Sequence, residues 1–439
     1  MATPKAILQR FERLQSQPEW SFSTSKRADT NAHSHGYHRY PAKFIPQLVE
    51  KLVTEYTRKG DLVCDPFGGC GTTLVESKML GRNSIGFDIN PVAKLITDTK
   101  TKAINPKTLI VARAQFLAAY DLYGKKGKQP KVDHADRIYY WFSKGMVRRL
   151  DRIYKAIFAI KNKDARRFFL CAFSHILKNC SCWLMKSIKP TRDLGKVYPN
   201  PKEIFLRHLD SMIKKNEAYY VELKKSGHLK TTSRMLLRDA TKKLPLANNS
   251  VDIVVTSPPY VTSYEYADLH QLSLLWFGDD KKNFKNWSQF SGGFDVFRKK
   301  FVGSSFKTTD STDFGSRIAD EIVTRIRAKD KSLANSIAHY YVDMYATFHE
   351  LHRVLKRGSK ICAIIGNTEL SGVPVLNAEV AAEQLSGIGF KRTNFIKRDV
   401  SSKFIAPWRD TVSGKFTNLE NPNKKRVYQY EYVVIMEKK

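Results

Sequence analysis

Acids are scarce in this chain. Its 439 residues hold 42 Asp and Glu against 75 Lys and Arg, a formal charge of +33. That exceeds ordinary surface balance and points to a polyanionic partner, most simply nucleic acid. The basic residues are dispersed among aromatics instead of gathered in one tail, as a surface following a phosphate backbone requires. Cysteine is sparse too. Cys64, Cys70, Cys171, Cys180, Cys182 and Cys362 form no C-x-x-C pair and no Cys/His array at zinc spacing, so no metal site is expected. No apolar run approaches the ~18 residues of a membrane span and no signal core opens the chain, so the expected setting is the reducing cytoplasm, without a membrane partner. With 42% hydrophobic and 12% aromatic content, the chain has the material for one large core or two moderate ones.

Residues 1–36 are polar and carry the histidine-rich "NAHSHGYH". Lacking matching metal ligands, this stretch is expected to be an exposed arm. The pattern turns helical over "YPAKFIPQLVEKLVTEYTRKG" (40–60): Pro46 suits a first turn, Leu48, Val49, Leu52, Val53 and Tyr56 share a face, and Gly60 is the expected stop. The strand "DLVCD" then runs into "DPFGGCGTTLVESKMLG" (65–81). Gly68, Gly69 and Gly71 permit a sharp turn and close approach to a ligand, and Thr72 or Thr73 is a candidate cap for the following helix. The next strand, "NSIGFD", ends in Asp88, about twenty residues past the first glycine, where an acid can accept both hydroxyls of a ribose. The loop is neither G-x-G-x-x-G nor G-x-x-x-x-G-K-[ST], so a nucleoside cofactor without a bound pyrophosphate fits better. Asp65, near the helix start, would attract a cationic portion such as the amino-acid ammonium group of S-adenosylmethionine.

Residues 100–231 carry a roughly threefold excess of basic over acidic residues and read as a helical insertion, with Met146, Leu150, Ile153 and Ile157 at helical spacing. "CAFSHILKNCSCWLMKSIKP" (171–190) reads as buried helix. "RMLLRD" is expected to be a strand ending at Asp239, and "VDIVVT" another ending at the prolines of "TSPPY". In an open parallel sheet ligands bind outside the carboxyl ends of the strands, so Asp65, Asp88, Asp239 and the "TSPPY" loop are expected at one crevice, Asp239 against an adenine amino group. "YEYADLHQLSLLWFG" reads as a helix with Leu269, Leu272 and Trp276 inward and Tyr264 and Glu265 bordering a pocket. Residues 279–335 are basic, aromatic and glycine-punctuated, as a mobile DNA-contacting loop would be. The stripe Tyr341, Met344, Tyr345, Phe348, Leu351 and Leu355 reads as core helix, and "KICAIIGN" as a fifth strand. Trp408 and Arg409 are further candidates for base or phosphate contact.

Taken together, "YPAKFIPQLVEKL", "DPFGGCGTT", "GFDINP", "RDA" and "TSPPY" resemble the S-adenosylmethionine-dependent amino-methyltransferases of DNA, the cytosine-N4 and adenine-N6 enzymes of restriction and modification. The resemblance covers about 37–99, 232–278 and 336–439 as a catalytic core. It implies an α/β, Rossmann-like fold with a mostly parallel seven-stranded sheet, the last strand antiparallel, interrupted by the helical insertion. It also implies that Asp65, Pro66, Phe67, Gly68, Gly71, Thr72, Thr73, Asp88, Asn90, Asp239 and Ala240 hold the cofactor, Lys43 and Phe44 wall its methionine side, and Ser257, Pro258, Pro259 and Tyr260 hold the target base. The implied partners are double-stranded DNA and a cognate restriction endonuclease. An exocyclic amine is a poor nucleophile because its lone pair is delocalised into the ring. The Ser257 hydroxyl and Pro258 carbonyl would take its two hydrogens, and Tyr260 would stack on a base drawn out of the duplex. Serine before the prolines leans toward cytosine N4 over adenine N6. A guanine-modifying RNA methyltransferase and a noncatalytic nucleic-acid binder are the rival readings. The insertion 100–231, assisted by 279–335, is the favoured place for reading the target sequence.

Overall fold

The computed structural model describes residues 3–40, 43–125, 136–261, 267–290, 294–304, 313–400, 408–411, 417–426 and 429–439. A seven-stranded sheet is built from β1 (Leu62–Asp65), β2 (Asn83–Asp88), β3 (Ser233–Leu237), β4 (Val251–Thr256), β5 (Leu355–Ile365), β6 (Phe390–Asp399) and β7 (Tyr430–Lys438), in the order β3-β2-β1-β4-β5-β7-β6. β1 to β5 pair in parallel, and β7 lies antiparallel between β5 and β6. This is the expected Rossmann-like architecture, and the reversal of strand order between β1 and β4 opens a crevice at their carboxyl ends.

The central strands are apolar on both faces, as parallel strands covered by helices on each side must be. Because side chains alternate across a sheet, Val63, Ile253, Cys362 and Val433 go to one layer, with Leu48, Val49, Leu52 and Val53 of α2 (Pro46–Tyr56). Cys64, Val254, Ile361 and Val434 go to the other, with Tyr341, Met344, Phe348 and Leu351 of α12 (Lys331–Val354). Each fully buried Val or Leu contributes about 1.5–3 kcal/mol. Two boundaries differ from the sequence reading. α2 ends at Tyr56, because Thr57 is extended and hydrogen-bonds back to the Val53 carbonyl, so Gly60 serves the following turn. β3 ends at Leu237, leaving Asp239 in the loop beyond it.

The polar segment 1–36 is not the exposed arm predicted for it, and the chain just after it is buried as well. α1 (Pro4–Glu12) seats Phe11 against Phe395 and Tyr432, Trp20 is buried over α2, and Tyr37 is fully buried. Short polar side chains bring this segment inside because it finds partners there: His35 bonds Glu76 at 2.6 Å behind the glycine loop, and His38 bonds Ser174 at 3.0 Å.

The insertion between β2 and β3 is helical as expected, comprising α5 (Pro106–Lys125), α6 (Asp136–Trp141), α7 (Lys144–Ile157), α8 (Lys163–Cys180) and α9 (Pro201–Lys225). α8 stops at Cys180, and the predicted continuation to residue 190 is irregular chain. The segment after 279 departs further from expectation. Phe290, Phe294, Phe297 and Phe301 are buried in the same core as the helical insertion, joined by Trp276 of α10 (Gln271–Asp279). These rings pack the interior, where apolar area gains more than on a DNA-facing loop. α11 (Arg317–Arg327) packs on the α12 side of the sheet, where Phe314, Ile318, Ile322, Val323 and Ile326 join its core. Among the described residues no helix is long and apolar enough to cross a membrane.

Candidate active site

One cavity opens at the strand-order reversal, lined by the glycine loop (Pro66 to Cys70, with Thr72), Asp88 and Ile89 after β2, Asp239 and Ala240 after β3, and Ser257 to Tyr260 after β4. The loop owes its shape to its glycines. Gly69 and Gly71 have positive φ (47° and 77°), which a larger residue adopts only with strain, and a Cβ on Gly68 would lie 2.7 Å from the Met235 methyl, which would have to move aside. Gly71 caps α3 (Thr72–Met79) in the left-handed conformation; neither predicted threonine caps it.

Thr73 turns inward to Asp65. The Asp65 carboxylate is 1% exposed and accepts three hydrogen bonds: from Thr73 Oγ1 (2.8 Å), Thr256 Oγ1 (2.7 Å) and the Phe67 amide (3.1 Å). Asp65 and Thr73 therefore sit beneath the cavity instead of lining it, and the expected attraction of a ligand ammonium by direct contact with Asp65 is not what the geometry offers. Their consequence is larger. Thr256 precedes Ser257, so one buried carboxylate fastens the glycine loop to the proline loop. Burial pushes the Asp65 pKa up to about 6, against the pull of the three donors.

Asp88 lines the cavity and is fixed by the amides of Gly69 (3.0 Å) and Asn90 (2.8 Å); burial raises it to about 6 despite those bonds. Asn90 is buried and caps α4 (Pro91–Lys100) through the Val92 amide, so its role is to orient the chain after Asp88. Asp239 is held in a turn by the Thr241 amide and hydroxyl (2.9 and 2.8 Å). Lys43 and Phe44 line the cavity, Lys43 bonding Asn31 at 3.3 Å. Tyr260 donates from its hydroxyl to Glu431 of β7 at 2.7 Å, and Arg398 of β6 lies 3.6 Å from the other Glu431 oxygen. Tyr264 and Glu265 lie outside the described residues, and Trp408 sits in a short ribbon (Trp408–Asp410) with no part in the cavity lining.

Sequence reasoning gave no site role to Tyr40, Cys70, Ile89 and Arg238, nor to Lys300, Phe301 and Val302 of the second insertion, all of which line the cavity. Tyr40, Ile89 and Arg238 lie within the quoted motifs and were within reach of them; Lys300 to Val302 come from a remote segment and carry no local signal. Cys70 departs from the other loop residues electrostatically: burial would raise its thiol, but the ammonium groups of Lys100 and Lys43 outweigh it and the net shift is downward.

A mostly parallel sheet of this order, with a glycine loop after β1, an acid at the end of β2 and a proline-proline-tyrosine loop after β4, has the Rossmann-like architecture found in methyltransferases. The comparisons with known proteins narrow the class. A sequence family described as DNA methylase, of the N6 and N4 type, matches residues 6–98. The Type II methyltransferase M.MvaI of Kocuria varians is 28% identical over 413 residues, 89% of each chain. M.BsoBI of Geobacillus stearothermophilus is 24% identical across 84% of this chain and 80% of its own, and M.MjaII of Methanocaldococcus jannaschii is 43% identical over 91 residues, 20% and 17% of the two chains. Over most of its length the chain is thus similar to Type II DNA methyltransferases, and over residues 6–98 to the DNA methylases of the N6 and N4 type.

Proposed function

We propose that this protein transfers a methyl group from S-adenosylmethionine to the N4 amine of a cytosine drawn out of duplex DNA. The observation that carries the reading is the joint cavity, in which the glycine loop and the Ser257–Tyr260 loop face one space and are tied together by the Asp65–Thr256 bond. The cavity residues fit the cofactor. Asp88 offers a carboxylate to vicinal hydroxyls, Phe44, Phe67 and Ile89 offer apolar contact, and Asp239 offers an acceptor for an adenine amine. When bound, S-adenosylmethionine supplies a methyl group on a positively charged sulfur.

The chain's own part is positional. The Ser257 hydroxyl and the Pro258 carbonyl accept the two amine hydrogens, which concentrates the nitrogen lone pair. Two consecutive prolines fix the backbone angle, so the carbonyl is presented without a competing amide donor. The Tyr260 ring offers a stacking face to the extruded base, offsetting part of an unstacking cost of a few kcal/mol. Alignment, more than acid or base strength, then governs the displacement. Incubation with duplex DNA and labelled cofactor, digestion to nucleosides and mass identification tests this. N4-methylcytosine is the expected product. N6-methyladenine would replace the base assignment, and label in RNA with none in duplex DNA would overturn the substrate class.

A further inference from the structure

A second groove lies beside the cofactor cavity, between α8 and α9 of the helical insertion. It is lined by Arg39, Arg207, His175, His208 and Ser211, and among the described residues no carboxylate lines it. The two imidazoles stack face to face at 3.7 Å and 11°. Their hydrogen bonds fix which nitrogens carry protons. His175 Nδ1 accepts from the Arg39 amide (3.3 Å), so its Nε2 bears the hydrogen and can donate; His208 Nε2 donates to the Tyr37 carbonyl (2.9 Å). Among the described residues the charged side chains that line the groove, Arg39 and Arg207, are both basic. Burial depresses His208 to about 4, with Arg39 and Lys215 adding to the effect; burial, Arg39 and Lys196 together hold Lys178 at about 8.

The groove and the cofactor cavity share a wall. Arg39 lines one and Tyr40 the other, about 3.8 Å apart along the backbone. Tyr40 packs on His270 at 5.0 Å, and His270 on His38 at 5.7 Å, so the partition is a layer of rings. Two guanidiniums, an imidazole donor and a hydroxyl form the donor set that recognises a phosphate, and duplex DNA presents one negative charge per about 1.7 Å of its axis.

We propose that this groove seats a phosphodiester of the DNA strand whose base enters the cofactor cavity. The inference rests on the DNA substrate proposed above and assigns part of the helical insertion to backbone positioning.

The test measures duplex affinity of the full chain against salt by fluorescence anisotropy, using Arg207→Ala, Arg207→Glu and, as a control before the amino end of β1, Lys59→Ala. Arg207 and Lys59 are exposed, so folding is expected to survive all three. Removing one phosphate contact should lower the slope of log K against log salt by about 0.9. Arg207→Glu should weaken binding roughly tenfold or more at low salt, with cofactor affinity unchanged. A salt slope for both Arg207 variants equal to that of Lys59→Ala overturns the groove while leaving the methyltransferase reading intact. Wild-type protein that neither binds nor methylates duplex DNA overturns both. Inorganic phosphate is the second arm: heat on titration into the wild-type chain, with duplex affinity untouched by the substitutions, would assign the groove to a free anion and overturn the proposal.

Discussion

Thr256→Val probes the joint between the two halves of the active site. Valine keeps the shape and removes the hydroxyl that donates to Asp65 Oδ1 at 2.7 Å, leaving that oxygen the Phe67 amide alone. The sign of the pH effect follows from burial. An ordinary aspartate titrates near ~3.9 and Asp65 near about 6, a gap of roughly two units or ~3 kcal/mol at ~1.4 kcal/mol per unit. Because the folded value is raised, Asp65 favours folding most below pH ~4, and that contribution is lost as pH rises through about 6. A hydrogen bond to the ionised group is worth ~1.5–3 kcal/mol, against ~1 kcal/mol for a neutral one. Losing it raises the folded pKa further. The variant should therefore lose ~1 kcal/mol at pH 5 and ~1.5–3 kcal/mol at pH 8, read from urea unfolding of both proteins in matched buffers. Asp88 titrates in the same range and is present in both proteins, so it enters the difference only through its coupling to the Asp65 charge. Equal losses at the two pH values, or a larger loss in acid, would refute the role of this bond.

Other substitutions separate geometry from chemistry. Gly60 and Gly71 both have positive φ, but a Cβ on Gly71 would lie 2.6 Å from Thr97 while one on Gly60 meets nothing within 4 Å. Gly60→Ala should cost ~1–2 kcal/mol from backbone strain alone and Gly71→Ala a further ~1–3 kcal/mol from overpacking; indistinguishable melting curves would contradict this. Glu431→Gln weakens the acceptor of the Tyr260 hydroxyl, so single-turnover transfer should fall about three- to tenfold with cofactor affinity unchanged, and Tyr260→Phe should add little on top. Full additivity of the pair would separate Glu431 from Tyr260. Ser257→Ala and Tyr260→Ala should each cut transfer by roughly a hundredfold or more while calorimetry still finds the cofactor bound; wild-type turnover in both would remove their assigned roles.

Much of this molecule was legible in its sequence where the cause is local. Glycines at 68, 69 and 71, the acid at 88 and the paired prolines at 258 and 259 restrict backbone and chemistry whatever surrounds them, so the strand ends and the glycine loop could be placed in advance. Apolar runs such as "VDIVVT" need cover on both faces, which is why a parallel sheet was foreseeable. Tertiary structure alone decided the rest. Whether Asp65 meets a ligand or a pair of threonines depends on Thr256, nearly two hundred residues away. The polar segment 1–36 and the phenylalanines after 279 were misjudged because burial is settled by partners remote in the chain, Glu76 for His35 and the helical insertion for the rings. Local angles and periodicity are fixed by covalent geometry and side-chain type; which surface meets which is fixed only when the whole chain closes.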